Sequence, residues 1–284
     1  MKKIAYLLFA AAACGTSAAA QAPVIPAAEQ AAIVATALDY GDGFYSGAPE
    51  RMERAIHPDL NKVSVQALPQ GGRFVVGYST YSGLVEMTRA KVALLAPEKR
   101  KIQASALSLV GDIALAKVTS AMFNDFLAMV KVDGTWKIVN VIWVPGPDAP
   151  NRPTLPAADA LKDKAAINRA VMEFVRGVQT SDAALLEKVL HPEVTLSGFG
   201  ALPMSKPAIN RTRYSGIVEA ARAKLIPVLP EAARTAETKI VDVMDGMALV
   251  EATLPNAYFV LQMASIDGEW KILNILNRRI APPR

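Results

Sequence analysis

The sequence predicts an α+β protein of two tandem domains, each with three N-terminal helices packed on a curved antiparallel sheet. Three observations predict it. The chain repeats itself over its whole length, a proline-rich break separates the copies, and each copy changes from helical to strand periodicity at the same point.

The repeat is read residue by residue. His57-Pro58 is answered by His191-Pro192, and Tyr81-Ser82-Gly83-Leu84-Val85-Glu86 by Tyr214-Ser215-Gly216-Ile217-Val218-Glu219. Arg89-Ala90-Lys91 is answered by Arg222-Ala223-Lys224, and Asp133-Gly134-Thr135-Trp136-Lys137-Ile138-Val139-Asn140 by Asp267-Gly268-Glu269-Trp270-Lys271-Ile272-Leu273-Asn274. The offset is 134 at the histidines, 133 through the Tyr-Ser-Gly block and 134 again at the Asp-Gly block. One residue gained and one lost is the mark of a duplicated domain, and the period is too long for a solenoid.

Between Pro145 and Pro156 stand five prolines, which preclude a regular helix and disfavour strand pairing. The expected organisation is therefore a signal peptide over 1–20, a first domain over 29–144, a linker over 145–160 and a second domain over 161–282. Each copy is about 118 residues, enough for its own core.

Within a copy the elements follow in order. Residues 29–45 carry apolar side chains at 33, 37, 38, 40 and 44, a helical stripe, with a twin over 165–178. A short helix follows over 49–56 and 182–190, with Asp182 as its N-cap. A brief strand is expected over 63–68 and 194–199. The Tyr-Ser-Gly block opens a third helix, with Ser82 and Ser215 in capping position and Pro97 and Pro230 beyond its end. The remainder is β-rich, ending in a hairpin on Asp133-Gly134, and on Asp267-Gly268 in the second copy. Asp-Gly between apolar runs is a strong hairpin signal.

These motifs carry a resemblance. Gly47 to Asp59 (through Glu50-Arg51-Met52-Glu53-Arg54-Ala55-Ile56-His57-Pro58), Leu84 to Ala90 and Asp133 to Trp143 together resemble the nuclear transport factor 2-like superfamily, in its SnoaL-like or putative lumazine-binding subgroup. The second copy matches more loosely, with Glu193 for Asp59, Ala220-Ala221 for Met87-Thr88 and Asn277 for Trp143. The resemblance implies a cone-shaped sheet closed by helices around a pocket. It spans isomerases, dehydratases, cyclases and binding modules, so it specifies fold rather than reaction. Relatives of this kind commonly dimerise through the outer sheet face, which implies an intramolecular pseudo-dimer of the two repeats here.

Paired outward from a two-residue turn at Asp133-Gly134, the hairpin sets Met129 opposite Ile138, Leu127 opposite Asn140 and Asp125 opposite Ile142. Trp136, Ile138, Asn140 and Ile142 then share a face with Asp125, Leu127 and Met129. Asp125 and Asn140 become polar neighbours among apolar ones. On this reading Asp125 is an acid or base with His57 beside it, and Asn140, Tyr78, Tyr81 and Trp136 hold a ligand. The opposite face, with Val139, Val141 and Trp143, is the expected dimer surface, so that Trp143→Asp is expected to split the domains. Each of these residues has a structural alternative. Asp125 caps a loop or pairs with Arg89, the histidines end a helix before proline, and Asn140 and Asn274 are buried hydrogen-bonding posts. Position 259, the counterpart of Asp125, is Phe.

Composition bounds the rest. The formal charge is +5 and falls to +3 without Lys2 and Lys3, and the basic residues are dispersed with little aromatic interleaving, so no nucleic-acid partner is expected. Lys2, Lys3, the apolar run Ile4–Ala13 and Ala18-Ala19-Ala20 read as a signal peptide cleaved near Ala20, giving a periplasmic or secreted protein with no membrane span. The only cysteine, Cys14, among small residues allows a second route, a lipoprotein anchor. One histidine per copy cannot build a His-rich metal site, and no dinucleotide, phosphate-loop or serine-elbow motif is present, so neither metal nor cofactor is expected. The expected function is an exported binding protein for a small molecule held in the first copy. The alternatives are a cofactor-independent lyase or isomerase using Asp125, and an envelope scaffold.

Overall fold

The structure, a computed structural model, describes residues 24–68, 74–150, 160–201 and 207–280. The expected signal peptide, with Ala20 and Cys14, lies outside them, as do residues 151–159 of the expected linker.

The first domain runs α1 (Ala27–Ser46), α2 (Pro49–Ala55), β1 (Ile56–Ala67), β2 (Phe74–Ser79), α3 (Tyr81–Arg89), β3 (Gln103–Val110), β4 (Ile113–Thr119), β5 (Phe123–Val132) and β6 (Thr135–Pro145). The second repeats it as α4 (Ala160–Thr180), α5 (Ala183–Val189), β7 (Leu190–Ala201), β8 (Pro207–Arg213), α6 (Tyr214–Arg222), β9 (Glu237–Met244), β10 (Met247–Leu254), β11 (Ala257–Ile266) and β12 (Glu269–Arg279). The sheets have matching orders, β2-β1-β6-β5-β4-β3 and β8-β7-β12-β11-β10-β9.

Local chemistry accounts for the elements. Ile33, Ala37 and Tyr40 bury one stripe of α1, and Gly47 ends the helix at φ +64°, a left-handed turn that glycine adopts without strain. Asp182 caps α5 by accepting from the Ala184 and Leu185 amides at 2.9 and 3.3 Å. The cap of α3 is Thr80, which accepts from Gly83 N at 3.2 Å, rather than the expected Ser82. Asp133-Gly134 and Asp267-Gly268 turn with φ positive at both residues, as a two-residue hairpin turn requires.

Three features of the strand layout differ from the sequence expectation. The sheet is mixed, because β1 lies parallel to β6 and β7 to β12. The first strand is longer than expected, running from Ile56. An unanticipated strand, β2, pairs with it; there a Cβ on Gly77 would stand 2.7 Å from Ser64 Oγ across the ladder. Neither β2 nor β8 shows strict apolar alternation, since both lie at a sheet edge and are half-exposed.

The most consequential difference is a β-bulge. β5 and β6 pair as expected from the turn to Met129 opposite Ile138, after which Val139 is inserted and Ala128 stands opposite Asn140. Beyond it Leu127 faces Val141, and Asp125 faces Trp143 rather than Ile142. Leu273 makes the same insertion in β12. Because side chains alternate, one extra residue exchanges the faces of everything that follows. Val141 and Trp143 therefore turn towards the helices, and Asn140, Ile142 and Val144 turn away.

Three apolar cores result. One lies under the helices of each domain. The third lies between the two sheets, where Phe126, Ala128, Val130, Val139 and Ile142 meet Leu249, Tyr258, Val260, Leu273 and Leu276. Polar posts thread this interface. Asn61 Nδ2 donates to Asn274 Oδ1 at 2.6 Å, Asn274 Nδ2 donates to Val141 O and Gln262 Oε1, and Ser197 Oγ donates to Asn140 Oδ1 at 3.0 Å. Lys117–Asp242 at 2.5 Å and the Arg278–Asp112 pair close its margin.

The two histidines occupy one role. In each copy the amide two residues on donates to Nδ1, Asp59 N to His57 at 3.0 Å and Glu193 N to His191 at 3.1 Å. Nδ1 is thus an acceptor, and the imidazole is neutral with its proton on Nε2. Burial is the main cause that lowers the pKa of both rings below the usual histidine value.

Two outcomes are expected. Ile142→Asp places a carboxylate between the sheets and separates the domains, raising the radius of gyration in small-angle scattering. Trp143→Asp, on the other face, leaves that radius unchanged, and the reverse result would restore an uninterrupted register. The second concerns pH. A depressed folded pKa means that the unfolded chain binds more protons, so the contribution of the histidines is present above about pH 6.5 and is lost as pH falls through the folded value. The melting temperature therefore falls from about pH 7.5 to 5.5. His57→Asn with His191→Asn, which keeps an acceptor but cannot titrate, flattens that slope; an unchanged slope would remove the histidines as its cause.

Candidate functional site

A cavity of about 250 Å³ opens in the first domain between α1, α3 and the concave face of the sheet. Its lining runs from Val92, 61% exposed, to Lys62 and Asp125 on its floor.

Each floor residue is delivered by a regular element. Tyr40 lies on the buried stripe of α1, three residues after Ala37 and so on the same helical face. Lys62 stands on β1, Asp125 on β5 and Trp143 on β6, the last two directly paired across the ladder. Tyr40 OH donates to Asp125 Oδ1 at 2.8 Å, Lys62 Nζ donates to the same oxygen at 2.9 Å, and Lys62 Nζ also donates to Tyr40 OH. The Lys62 and Asp125 side chains are 7% and 2% exposed. Burying an unpaired charge costs several kcal/mol, and here ammonium and carboxylate offset each other.

Aromatic rings enclose the amine. Nζ lies 4.8 Å from the Trp143 ring centroid, 5.0 Å from that of Tyr40 and 5.9 Å from that of Phe123. Phe123 packs in turn on Phe44, Tyr45 and Trp143, at 5.7, 5.8 and 5.3 Å between centroids. Burial pushes the Lys62 ammonium below the ordinary lysine value, against the pull of Asp125. Burial, reinforced by the Asp125 charge, raises the Tyr40 phenol well above its usual value, so that it remains a donor.

The second cone lacks this chemistry. The counterparts of Tyr40, Lys62 and Asp125 are Phe174, Leu196 and Phe259. Phe174 and Phe259 meet edge to face at 5.4 Å within the domain core.

Of the six residues singled out from sequence, Asp125 lines the cavity and five do not. Asn140, turned by the bulge, lies between the sheets as a hydrogen-bonding post. His57 closes the α2–β1 junction. Tyr78 OH donates to Glu193 O and Oε2 in the second domain, at 2.6 and 3.0 Å. Tyr81 begins α3 and packs on the first-domain core. Trp136 is buried behind the cavity and donates from Nε1 to Glu29 Oε2 at 2.9 Å. Arg89, the expected partner of Asp125, pairs with Glu86 and Glu53 on the surface. Sequence reasoning missed Tyr40 and Lys62. Their signal was the exchange of polar for apolar residues between equivalent positions of the two copies.

Among the described residues, no group of three or more His, Cys, Asp or Glu is placed to hold a metal ion. No helix there is long and apolar enough to cross a membrane.

Comparison with known proteins gives three findings. An aldolase, FrzH, from a Cladobotryum species is 28% identical over 127 residues, which cover 42% of this chain and 93% of that protein. Among solved structures, an NTF2-like protein of unknown function from Shewanella baltica OS155 is 11% identical with a TM-score of 0.36, covering 44% of this chain and 99% of that one. A second, from Silicibacter pomeroyi DSS-3, is 16% identical with a TM-score of 0.33, covering 43% and 100%. The profile of the family described as putative lumazine-binding matches residues 28–144 and again 162–276. The matches take in nearly all of both cones, and the chain belongs to that family as a tandem pair of nuclear transport factor 2-like domains.

Proposed function

We propose that this protein binds a small metabolite in its first cone and that the second cone is its structural partner. One observation carries the reading. An aromatic-walled cavity ends on Tyr40, Lys62 and Asp125 in one copy, and an apolar core occupies the same positions in the other. A stability requirement common to both copies would have kept the same residues, and apolar side chains satisfy it in the second.

The lining favours a ligand with an apolar or aromatic body against Phe44, Leu84, Met87, Phe123 and Trp143. A volume of about 250 Å³ lies below the about 300–1,000 Å³ of pockets for drug-sized molecules, so the ligand is compact. An ammonium has three N–H donors, of which Asp125 and Tyr40 engage two, leaving one for an acceptor such as a carbonyl oxygen. The family description supports a heteroaromatic ligand with such oxygens.

A second reading, a cofactor-independent lyase or isomerase, is favoured by a carboxylate, a phenol and an amine converging in one water-poor cavity, and by the relative named as an aldolase. Asp125 would then move a proton between substrate atoms, and Asp125→Asn would abolish turnover in the protein that folds, at a cost in stability from the unpaired Lys62. Export of the chain, with cleavage near Ala20 or lipidation of Cys14, completes the proposal.

Native mass spectrometry of the protein from its host's envelope tests both parts. The expected spectrum carries a reproducible added mass on a chain beginning at Gln21. The variant to compare is Tyr40→Phe with Lys62→Leu and Asp125→Phe, which transplants the second copy's residues and removes both buried charges together. It is expected to fold and to lose the added mass. Retention of that mass by the folded triple variant would place the ligand elsewhere.

A further inference from the structure

The role of Lys62 is not exhausted by a hydrogen bond. We propose that Lys62 is a nucleophile that captures an aldehyde or ketone as a Schiff base on the floor of the first cone. The inference rests on the first cone being a ligand site and names the class of molecule it takes, a compact carbonyl compound with an apolar or aromatic body.

Four observations lead there. Lys62 is the one buried lysine among the described residues, and it lines the cavity. The other lysines are half-buried or exposed, and those at positions 101, 117, 131, 188 and 271 are engaged in ion pairs. Burial favours the neutral amine, the form that attacks a carbonyl carbon. An acceptor for its proton is already in place, Asp125 Oδ1 at 2.9 Å. The backbone does not require the amine, because Leu196 serves at the equivalent position of β7.

The step balances without a further reagent. The Lys62 ammonium passes one proton to Asp125. The free amine forms a C–N bond as the carbonyl π bond opens, and the oxygen takes that proton back to become hydroxyl. A second proton leaves nitrogen by the same carboxylate and departs with the hydroxyl as water, giving the iminium with one proton still on nitrogen. Lysine ammonium plus carbonyl thus become iminium plus water, and Asp125 ends as it began. One positive charge stands beside Asp125 before and after. The rings of Trp143, Tyr40 and Phe123 that surround Nζ face a cation at both ends of the step, the ammonium before and the iminium after. Tyr40, held protonated, is the positioning residue that keeps Asp125 Oδ1 turned to the amine. Apolar walls limit the water that would hydrolyse the product.

The test uses the full chain with 2-naphthaldehyde and sodium cyanoborohydride, which supplies hydride to convert the iminium into a stable secondary amine. Peptide mapping is expected to find one adduct, the aldehyde less one oxygen atom, on Lys62. It should form about ten-fold or more faster than on any surface lysine. Lys62→Arg keeps a cation for Asp125 but cannot form an imine, so its adduct should be absent. The triple variant Tyr40→Phe, Lys62→Leu, Asp125→Phe serves as a second adduct-free control should Lys62→Arg not fold. In a parallel titration, 2-naphthalenemethanol, which has no carbonyl, reports entry into the cone through Trp143 fluorescence, checked against Trp143→Phe. If the alcohol binds but the aldehyde leaves Lys62 unmodified, or labels surface lysines at the same rate, amine capture is overturned and the binding reading stands. If neither compound enters, both readings fall.

Discussion

Val139 in the first domain and Leu273 in the second are each one residue more than their hairpins need, and much of the molecule follows from that surplus. With side chains alternating, the insertion decides which half of the last strand meets the helices and which half meets the other domain. It sends Trp143 into the cone beside Lys62, and Asn140 and Ile142 into the interface. Without it the interface would hold an indole and the cavity an unpaired amide. The bulge occurs at the same place in both copies, so it belongs to the ancestral unit rather than to either function.

The two faces carry different kinds of polarity. Between the sheets, Asn61, Asn274 and Gln262 form a chain of uncharged hydrogen bonds that ends on backbone oxygens of the partner sheet. This network fixes register between surfaces that apolar contact alone would hold only loosely. The duplication has already eroded its symmetry. Ala128 stands where the second copy has Gln262, and Asn140 Nδ2 and Thr195 Oγ1 are buried without a partner. An unmade hydrogen bond of this kind costs about 1–3 kcal/mol, a sum the large shared core absorbs.

In the cone the polarity is ionic, and the argument from stability runs the other way. A buried ion pair seldom adds stability over apolar residues of similar size, whereas half of one is strongly destabilising. The second domain shows the apolar solution for the same backbone, with Phe174 and Phe259 in edge-to-face contact. Tyr40, Lys62 and Asp125 are therefore retained against the simpler packing. Duplication makes that comparison internal to one chain, with the second copy as the control for the first.

Much of the fold was determined by the sequence alone. The repeat, the apolar stripes at helical spacing and the Asp-Gly turns report local or near-local preferences, and the helices and hairpins they specify stand where expected. Asp125 was legible as well, as an acidic residue in an apolar run with phenylalanine as its counterpart. Tertiary structure decided the rest. A bulge leaves no mark in a run such as Ile138-Val139-Asn140-Val141-Ile142, where every residue suits a strand on either face, so the partners of Asp125 were assigned to the wrong side. The parallel pairing of β1 with β6 joins segments far apart in the chain and has no local signature. Only that pairing brings Lys62 to Asp125, and only the packing of α1 across the sheet adds Tyr40. Their charge, burial and proximity are properties of the assembled cone, because no one segment of the chain contains all three.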